Sequence, residues 1–379
     1  MKKVLFIGNG NLGWKTMGQA LEQSSASSKL FIPVHRKLSD SFLGKVPRNY
    51  RFSKLFRRFD IKFRLQKFVS RTTLLTEDYD HVHCFGHLVA NSEFFEKNSI
   101  SYSVTCDGTW FQNEVELHKP EKKFEIARCE RRKQAELAIL HNAEFVICTS
   151  NWARDSVIDD IGVDPEKVFV NPVPIISDPI VQQKDSASWI TFIGNNFYRK
   201  GGDILIDAFE SKDFGAAELH LVSSDNKPKY IDRVDGAFWH GQVSNEHLRS
   251  EILPNTRVLV LPSRLDQSPL VISEAAAAGV PSIVSDIAGL PELVIDGWNG
   301  FVIPIGDHLL LADKISQLLQ DLDLAETMGE NALKHYRENL CSEKSIESLF
   351  EKINNVLEQK GQIDIDLTSM ASLENKVDV

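Results

Sequence analysis

The sequence predicts an α/β protein of two domains, each built on a parallel β-sheet with helices between its strands. Apolar, β-branched runs typical of buried strands end at glycine or proline, as at Val4–Ile7 and Val258–Leu261. Apolar stretches of helical length lie between such strands, for example Leu270–Ala278, which Gly279 closes. The chain has 379 residues, enough for about two domains of ordinary size.

Composition and charge exclude several kinds of protein. Hydrophobic residues make up 42% of the chain and charged residues 25%, as in a globular protein that folds in water. No apolar run approaches the roughly 20 residues of a membrane-spanning helix. The net charge of -10 gives no general signal for nucleic-acid binding. The five cysteines include no C-x-x-C pair, which indicates reduced thiols and a cytoplasmic protein.

A glycine-rich loop follows the first predicted strand, whose apolar run is too short for a signal peptide. The loop matches the G-x-G-x-x-G pattern of dinucleotide-binding proteins, with Gly8, Gly10, Asn11 and Gly13 as its members. The next predicted strand, Phe31–Val34, ends in His35-Arg36, which suits NADP better than NAD. An NADP-dependent oxidoreductase is therefore one function that the sequence allows.

The segment Arg51–Arg71 carries eight basic residues and a single acidic one, Asp60. At the angular step of an α-helix, most of its phenylalanines fall on one face and most of its charges lie away from that face. This pattern is typical of a helix that lies in an anionic membrane interface, and we adopt that interpretation. A helix packed on its own domain, with its charges in water, is the alternative.

The strongest functional signal lies between Val258 and Ile305, where a buried strand, an acidic loop, a helix and a second strand follow one another. In a parallel sheet such a loop sits at the carboxyl edge, where ligands bind. Asp266 lies in the loop, near a reacting sugar, and Glu274 lies in the helix, where it suits ribose hydroxyls. The helix start offers unpaired N–H groups and the positive end of a dipole, which suit a diphosphate leaving group. We therefore assign the binding of a donor that carries such a diphosphate to Ser268, Pro269, Leu270 and Val271.

This stretch resembles the signature of retaining family 4 glycosyltransferases, which have the GT-B fold and transfer a sugar from a nucleotide diphosphate sugar. The matching residues are Glu274, Ala275, Gly279, Pro281, Gly289, Pro291, Glu292, Gly297, Asn299 and Gly300. Asp266 replaces the first of the family's two glutamates. The resemblance implies two Rossmann-like domains that face a central cleft, with nucleotide on the second domain and acceptor on the first. The arrangement that the resemblance implies requires no metal or other cofactor.

In the second domain, Lys200 follows the predicted strand Trp189–Ile193 and matches the lysine with which the family holds the diphosphate. Asn195 stands at the position of the family's arginine, and Arg199 is our candidate substitute because a guanidinium binds phosphate in bidentate fashion. His240-Gly241 resembles the loop that meets the nucleotide base.

In the first domain, Asp107 stands where the family has a histidine that contacts the transferred sugar, although an Asp-Gly turn is the alternative. The family's glycine-rich first loop also faces the cleft. His83 is a candidate acceptor or sugar contact, with a structural role as the alternative. No set of carboxylate or cysteine ligands that would complete a metal site is apparent near His81, His83 and His87. The resembling family has a D-x-x-H strand end here without metal, so we predict no metal site.

The predicted domains are residues 1–178, which bind acceptor, and residues 179–340, which bind nucleotide sugar. Residues 341–360 should form a helix that returns to the first domain, and residues 361–379 a mobile tail. Helices are predicted over Lys314–His335 and Ser342–Gln359.

The predicted function is transfer of a sugar, with retention of configuration, to a glycan or lipid-linked acceptor. The predicted setting is cell-surface polysaccharide or glycolipid synthesis, in the cytoplasm and at the cytoplasmic face of the membrane. Besides the oxidoreductase, a degenerate subunit that binds sugar nucleotides without turnover is an alternative. It is raised by the departures at Asn195, Asp107 and Asp266.

Overall fold

Two parallel β-sheets form the framework of this chain, one in each of its two units. The computed structural model describes residues 4–8, 79–87, 90–112, 133–173, 175 and 188–359. Unit 1 comprises Met1–Pro174 and Ser342–Val379, and unit 2 comprises Ile175–Cys341. Both sheets have helices between their strands, so the α/β fold class with two Rossmann-like domains is confirmed.

The strands of each sheet pair in parallel throughout. Unit 1 has the order β1-β2-β3-β4-β5, with β1 Val4–Gly8, β2 His81–Phe85, β3 Tyr102–Cys106, β4 Val146–Cys148 and β5 Val168–Val170. Unit 2 has the order β11-β10-β9-β6-β7-β8, with β6 Trp189–Ile193, β7 Glu218–Val222, β8 Ala237–Gly241, β9 Thr256–Leu261, β10 Ser282–Ser285 and β11 Gly300–Ile303.

The α-helices of at least four residues that are described to both ends are α1 Ser92–Lys97, α2 Asn151–Asp159, α3 Gly202–Glu210, α4 Leu270–Ala277, α5 Leu290–Leu293, α6 His308–Gln320, α7 Leu322–His335 and α8 Ser342–Gln359. Residues 133–141 are also helical. Shorter helical turns lie at Pro165–Lys167, Lys229–Arg233, Asn245–His247 and Leu253–Asn255, and π-helical turns lie at Leu248–Ile252 and Tyr336–Leu340. Within these described elements, none is long and apolar enough to cross a bilayer.

Side-chain caps explain where several helices begin. Ser150 accepts a hydrogen bond from the backbone N–H of Ala153 at the start of α2, as its position before the helix predicts. The single helix predicted over Lys314–His335 is wrong, because the structure has two helices that meet at Asp321. The Asp321 carboxylate caps α7 by accepting from the N–H of Leu324 at 2.9 Å.

The helix α8 packs within unit 1. Phe350 lies edge-on to Phe6 of β1, with ring centroids 5.9 Å apart, and Lys352 lies 4.0 Å above the ring of Phe169. The side chain of Asn171 also donates to the carbonyl of Ser345 at 2.8 Å. The chain thus leaves unit 1 near Pro174 and returns to it at Ser342.

Several predictions fall outside the described residues. They concern Gly10, Asn11 and Gly13 of the glycine-rich loop, the segment Arg51–Arg71, and residues 361–379. Gly8 is described as the last residue of β1.

Candidate functional site

The order of the second sheet places a ligand crevice between β6 and β9. From β6 the chain builds outward through β7 and β8, whereas from β9 it builds the other way through β10 and β11. The loops after β6 and β9 therefore leave the carboxyl edge side by side at a topological switch point, where open α/β sheets bind ligands. These are the loops that carry Lys200 and Asp266.

The loop after β6 turns tightly against the end of β9. Gly201 has a φ of +75°, and a Cβ atom there would lie 1.9 Å from the carbonyl oxygen of Pro262. A Cβ at Gly194 would lie 2.4 Å from the side chain of Lys200. Gly201 therefore lets the backbones of the two loops approach closely, and Gly194 leaves room for the side chain of Lys200.

Two cations converge on the Asp266 carboxylate. Lys200 Nζ lies 2.7 Å from Asp266 Oδ2, and both side chains are mostly buried, with 13% and 12% of their surfaces exposed. Arg199 Nη1 lies 3.8 Å from Asp266 Oδ1 and donates to the carbonyl of Leu265. The site therefore holds two positive groups around one small anion at the crevice.

A second ion pair, which no local sequence pattern indicates, joins the loop after β9 to the segment after β6. Arg264 donates to both carboxylate oxygens of Asp203 at 2.7 and 2.8 Å, and to the carbonyl of Tyr198 at 2.6 Å. Its backbone N–H donates to the carbonyl of Arg199 at 2.9 Å. The two partners lie far apart in sequence, so no local pattern connects them. Arg264 thereby helps to orient Arg199 and Lys200.

Asn195 ties neighbouring loops together. Its side-chain oxygen accepts hydrogen bonds from the backbone N–H of Ser224 at 2.9 Å and from the Ser224 hydroxyl at 2.8 Å. The Ser223 N–H in turn donates to the carbonyl of Gly241 at 3.1 Å. Asn195 therefore joins the ends of β6, β7 and β8, and only its amide NH2 is left for a ligand.

Glu274 and the start of α4 are open to a ligand in the described part of the chain. No side chain caps the amino end of α4, which begins after Pro269 at Leu270 and Val271. Ser268 precedes it in the loop. Glu274 is partly buried and no hydrogen bond is recorded for its carboxylate among the described residues. Burial raises the pKa of Glu274, and the charge of Arg249 opposes that shift.

The resemblance suggested that His240 and Gly241 lie in a loop. In the structure they are instead the last two residues of strand β8. The reason is that β8 pairs with β7 as far as Gly241, after a register shift at Leu221. His240 is partly exposed, and its Nε2 lies 2.8 Å from Nδ1 of His220. Sequence reasoning missed His220 because it lies within a strand two residues after Glu218, with nothing to mark its partner.

In unit 1, His81 and His83 belong to a buried ladder of hydrogen bonds. Their four ring nitrogens each lie 2.7 to 2.9 Å from a hydroxyl, contributed by Ser101, Ser103 and Thr105 of the neighbouring chain segment. Both histidines are fully buried. Because both nitrogens of His83 are already bonded, the structure gives His83 the structural role and not that of an acceptor or sugar contact.

Asp107 and a buried ion pair lie beyond the end of β3. Asp107 follows Cys106 directly and is partly exposed. In the same unit, His87 Nε2 lies 2.6 Å from Glu136 Oε1, which also accepts from the backbone N–H of Trp110 at 2.7 Å. Burial lowers the pKa of His87, but Cys106 and Glu136 outweigh it and the pKa is raised. The pair thus anchors the turn that carries Asp107.

Comparison with known proteins connects these features to a family. Residues 187–321 match the model of the family Glycosyl transferases group 1. The chain is 28% identical over 210 residues to the uncharacterized glycosyltransferase MJ1178 of Methanocaldococcus jannaschii, a match that covers 54% of this chain and 58% of that protein. It is 27% identical over 244 residues to the capsular polysaccharide biosynthesis glycosyltransferase CapM of Staphylococcus aureus, covering 59% and 62%. The matches thus span about three fifths of these relatives.

Solved structures share the fold over almost the whole chain. Sucrose-phosphate synthase of Thermosynechococcus elongatus has a TM-score of 0.72 at 18% identity, covering 95% of this chain and 100% of that one. HepE of Anabaena in complex with UDP-glucose has a TM-score of 0.70 at 15% identity, covering 94% and 100%. The fold is that of GT-B glycosyltransferases, as the resemblance predicted.

Proposed function

We propose that this chain, whose residues 187–321 match the family Glycosyl transferases group 1, transfers a sugar from a nucleotide diphosphate sugar. The observation that carries the proposal is the convergence of Lys200 and Arg199 on one carboxylate at the crevice of the second sheet. Two cations that already surround a small anion can also stabilise the negative charge of a departing diphosphate. Asp266 holds this place when no donor is bound.

Each residue has a part in the proposed reaction. The bond between the anomeric carbon and the diphosphate breaks, and negative charge grows on the phosphate that leaves. Lys200, Arg199 and the open N–H groups at the start of α4 stabilise this charge. Asp266, freed from Lys200, contacts the sugar. This arrangement needs no metal, because protein cations and a helix dipole balance the leaving charge.

The acceptor is proposed to be a hydroxyl of a glycan or lipid-linked glycan. Its oxygen forms the new bond to the anomeric carbon, on the face that the diphosphate leaves, so configuration is retained, and its proton passes to the departing diphosphate. The relative CapM is named for capsular polysaccharide biosynthesis, which supports a role in cell-surface polysaccharide or glycolipid synthesis. We place this reaction in the cytoplasm.

A thermal-shift screen tests the proposal. Nucleoside diphosphates and their sugars should raise the melting temperature if they bind the native state, since a ligand stabilises by mass action. UDP, GDP and ADP, each with its common sugars, make the first panel. If none shifts the melting temperature, the proposed donor class is wrong. Binding without slow hydrolysis of any sugar nucleotide would instead indicate a degenerate subunit.

Glu274→Gln should mainly raise the apparent KM for the donor, with a smaller effect on kcat. A carboxylate that accepts hydrogen bonds from ribose binds the donor equally in the ground state and the transition state. The control is the neighbouring helix residue Ser273, as Ser273→Ala. An unchanged KM in the Glu274 variant would contradict this role.

The same residue predicts how donor binding depends on pH. Burial raises the Glu274 pKa, so this carboxyl takes up its proton at a higher pH than an ordinary glutamate as the solution is acidified. The protonated form loses acceptor capacity, so donor affinity should fall as the pH drops through this raised pKa. Glu274→Gln should abolish that part of the pH dependence. Titration calorimetry across pH, with both proteins, makes the comparison.

We also propose that the segment Arg51–Arg71, which lies outside the described residues, brings the enzyme to an anionic membrane. Each basic residue near such a surface contributes about 1 kcal/mol and is screened by salt. Replacing four of them by glutamine should abolish sedimentation with anionic vesicles but leave donor binding intact; the four are Arg57, Arg58, Lys62 and Arg64. Failure of the wild-type protein to sediment with such vesicles at low salt would refute this.

A further inference from the structure

A short chain of hydrogen bonds runs across one face of the second sheet and ends at its ligand edge. Glu218 Oε2, at the start of β7, lies 3.1 Å from Nε2 of His220. His220 Nδ1 lies 2.8 Å from Nε2 of His240, near the end of β8. The chain therefore leads from a carboxylate at the amino edge of the sheet to a histidine at the carboxyl edge.

The carboxylate fixes which nitrogen of each histidine carries the proton. An ionised carboxylate can only accept, so Glu218 requires a proton on Nε2 of His220. Burial lowers the pKa of both His220 and His240, which keeps both rings neutral at pH 7. Neutral His220 then has a bare Nδ1, which must accept from Nε2–H of His240. The Nδ1 of neutral His240 is consequently a bare acceptor as well.

The ring of His220 is held rigidly, so this assignment is stable. Trp189 stacks on it with centroids 3.5 Å apart and an interplanar angle of 11°. Phe238 stacks at 5.1 Å and 25°. His220 itself is only 4% exposed. A ring enclosed in this way cannot flip to exchange its two nitrogens without breaking both hydrogen bonds.

The acceptor nitrogen of His240 is available to a ligand. Nδ1 makes no recorded hydrogen bond within the described ranges, and the residue is partly exposed. His240 precedes Gly241, whose carbonyl accepts from Ser223, and Ser224 is bonded to Asn195 in the loop that leads to Lys200. Hydrogen bonds among the residues at the carboxyl ends of β8, β7 and β6 thus connect His240 to the site proposed for the diphosphate.

We propose that His240 Nδ1 accepts a hydrogen bond from an N–H group of the base of the bound nucleotide, and that Glu218 and His220 are positioning residues that keep it an acceptor. The proposal rests on the proposed function, because it needs a nucleotide with its diphosphate at Lys200. It deepens that function by assigning a side chain that reads the base. A base edge that presents only acceptors toward His240 would be rejected, since two lone pairs would face each other.

The first test measures the protonation of the ring nitrogens without any ligand. Nitrogen-15 NMR of the histidine side chains should show His240 and His220 both protonated at Nε2 and bare at Nδ1. In Glu218→Gln the amide can donate as well as accept, so the two tautomers should mix in both rings. A proton on Nδ1 of His240 in the wild-type protein would overturn the proposal, whatever the protein's activity.

The second test measures recognition of the base by calorimetry. The tightest binder among UDP, GDP and ADP is compared with its analogue methylated at the base N–H. Wild-type protein should bind the methylated analogue about 10- to 100-fold more weakly, as expected when a hydrogen bond is replaced by an unpaired group. His240→Phe, which keeps an aromatic ring on His220, should bind the two nucleotides with affinities that differ by less than about threefold.

Controls separate this proposal from the proposed function. His247→Asn changes a histidine that acts on His240 only through its charge, so discrimination against methylation should remain. Melting temperatures without ligand verify that each variant is folded. If no nucleoside diphosphate binds the wild-type protein, the proposed function fails and the NMR result still decides the tautomers. If nucleotides bind but His240→Phe discriminates as the wild type does, the inference about the base is wrong.

Discussion

Replacement of Lys200 by alanine should lower kcat/KM for sugar transfer by about a hundred- to a thousandfold. A preorganised group that faces developing charge in a site of low dielectric is worth about 2.7 to 4 kcal/mol in the transition state. Lys200 is 13% exposed and already bonded to an anion at 2.7 Å, so its ammonium is preorganised for this task. The loss should appear mainly in kcat, because charge on the leaving phosphate grows as the bond breaks.

The matched control is Lys212→Ala. Lys212 also pairs with an aspartate, Asp313, at 2.7 Å, but the pair lies on the surface, with 37% and 67% of the side chains exposed. Surface pairs of this kind contribute little, so activity should remain within about twofold of wild type. Equal losses in Lys200→Ala and Lys212→Ala would show that the effect is not specific to the crevice. Circular dichroism verifies that both variants fold.

Arg199→Ala separates the two cations. The guanidinium lies 3.8 Å from the Asp266 carboxylate, farther than the ammonium of Lys200. We expect a smaller fall in turnover than in Lys200→Ala, because Arg199 is also held by the carbonyl of Leu265. Wild-type turnover in Arg199→Ala would mean that it does not replace the family's arginine. The amide NH2 of Asn195 or a backbone amide would then have to hold that phosphate.

The sequence predicted the site best where chemistry and spacing are local. The loop after β6, the acidic loop after β9 and the helix α4 are each marked by glycine, proline and apolar runs within a few residues. The convergence of Lys200 on Asp266 follows from the positions of these loops at the switch point. By contrast, the pairs Arg264–Asp203 and His87–Glu136 join residues distant in sequence. Only the folded sheet brings them together, so no periodicity indicates them.

The errors have a similar physical cause. The break at Asp321 was missed because the run is charged and apolar at helical spacing on both sides, and only the capping bond reveals the new helix. His83 was assigned to a ligand because a histidine at a strand end suits a cleft. The neighbouring strand instead supplies Ser103 and Thr105, which satisfy both its ring nitrogens. Partners on an adjacent strand are decided by register, which the sequence leaves open.

Gly201→Ala should destabilise unit 2 by about 2 to 5 kcal/mol. A non-glycine residue at a φ of +75° costs about 1 to 2 kcal/mol. The added Cβ would also lie 1.9 Å from the carbonyl oxygen of Pro262, which is backbone and cannot move alone. Forcing the loop after β6 away from the end of β9 adds about 1 to 3 kcal/mol of overpacking. Urea unfolding monitored by tryptophan fluorescence measures the difference in the free energy of unfolding between the wild-type protein and Gly201→Ala.

Gly215→Ala provides the control for this substitution. Gly215 has a similar φ of +63°, but a Cβ there meets no atom within 4 Å, so only the backbone cost applies. The difference between the two variants therefore isolates the clash with Pro262. Gly201→Ala should also lose transfer activity at temperatures where it is folded, because the same displacement moves Lys200 away from Asp266. Equal stability losses in the two variants would contradict the close approach of the two loops on which the site depends.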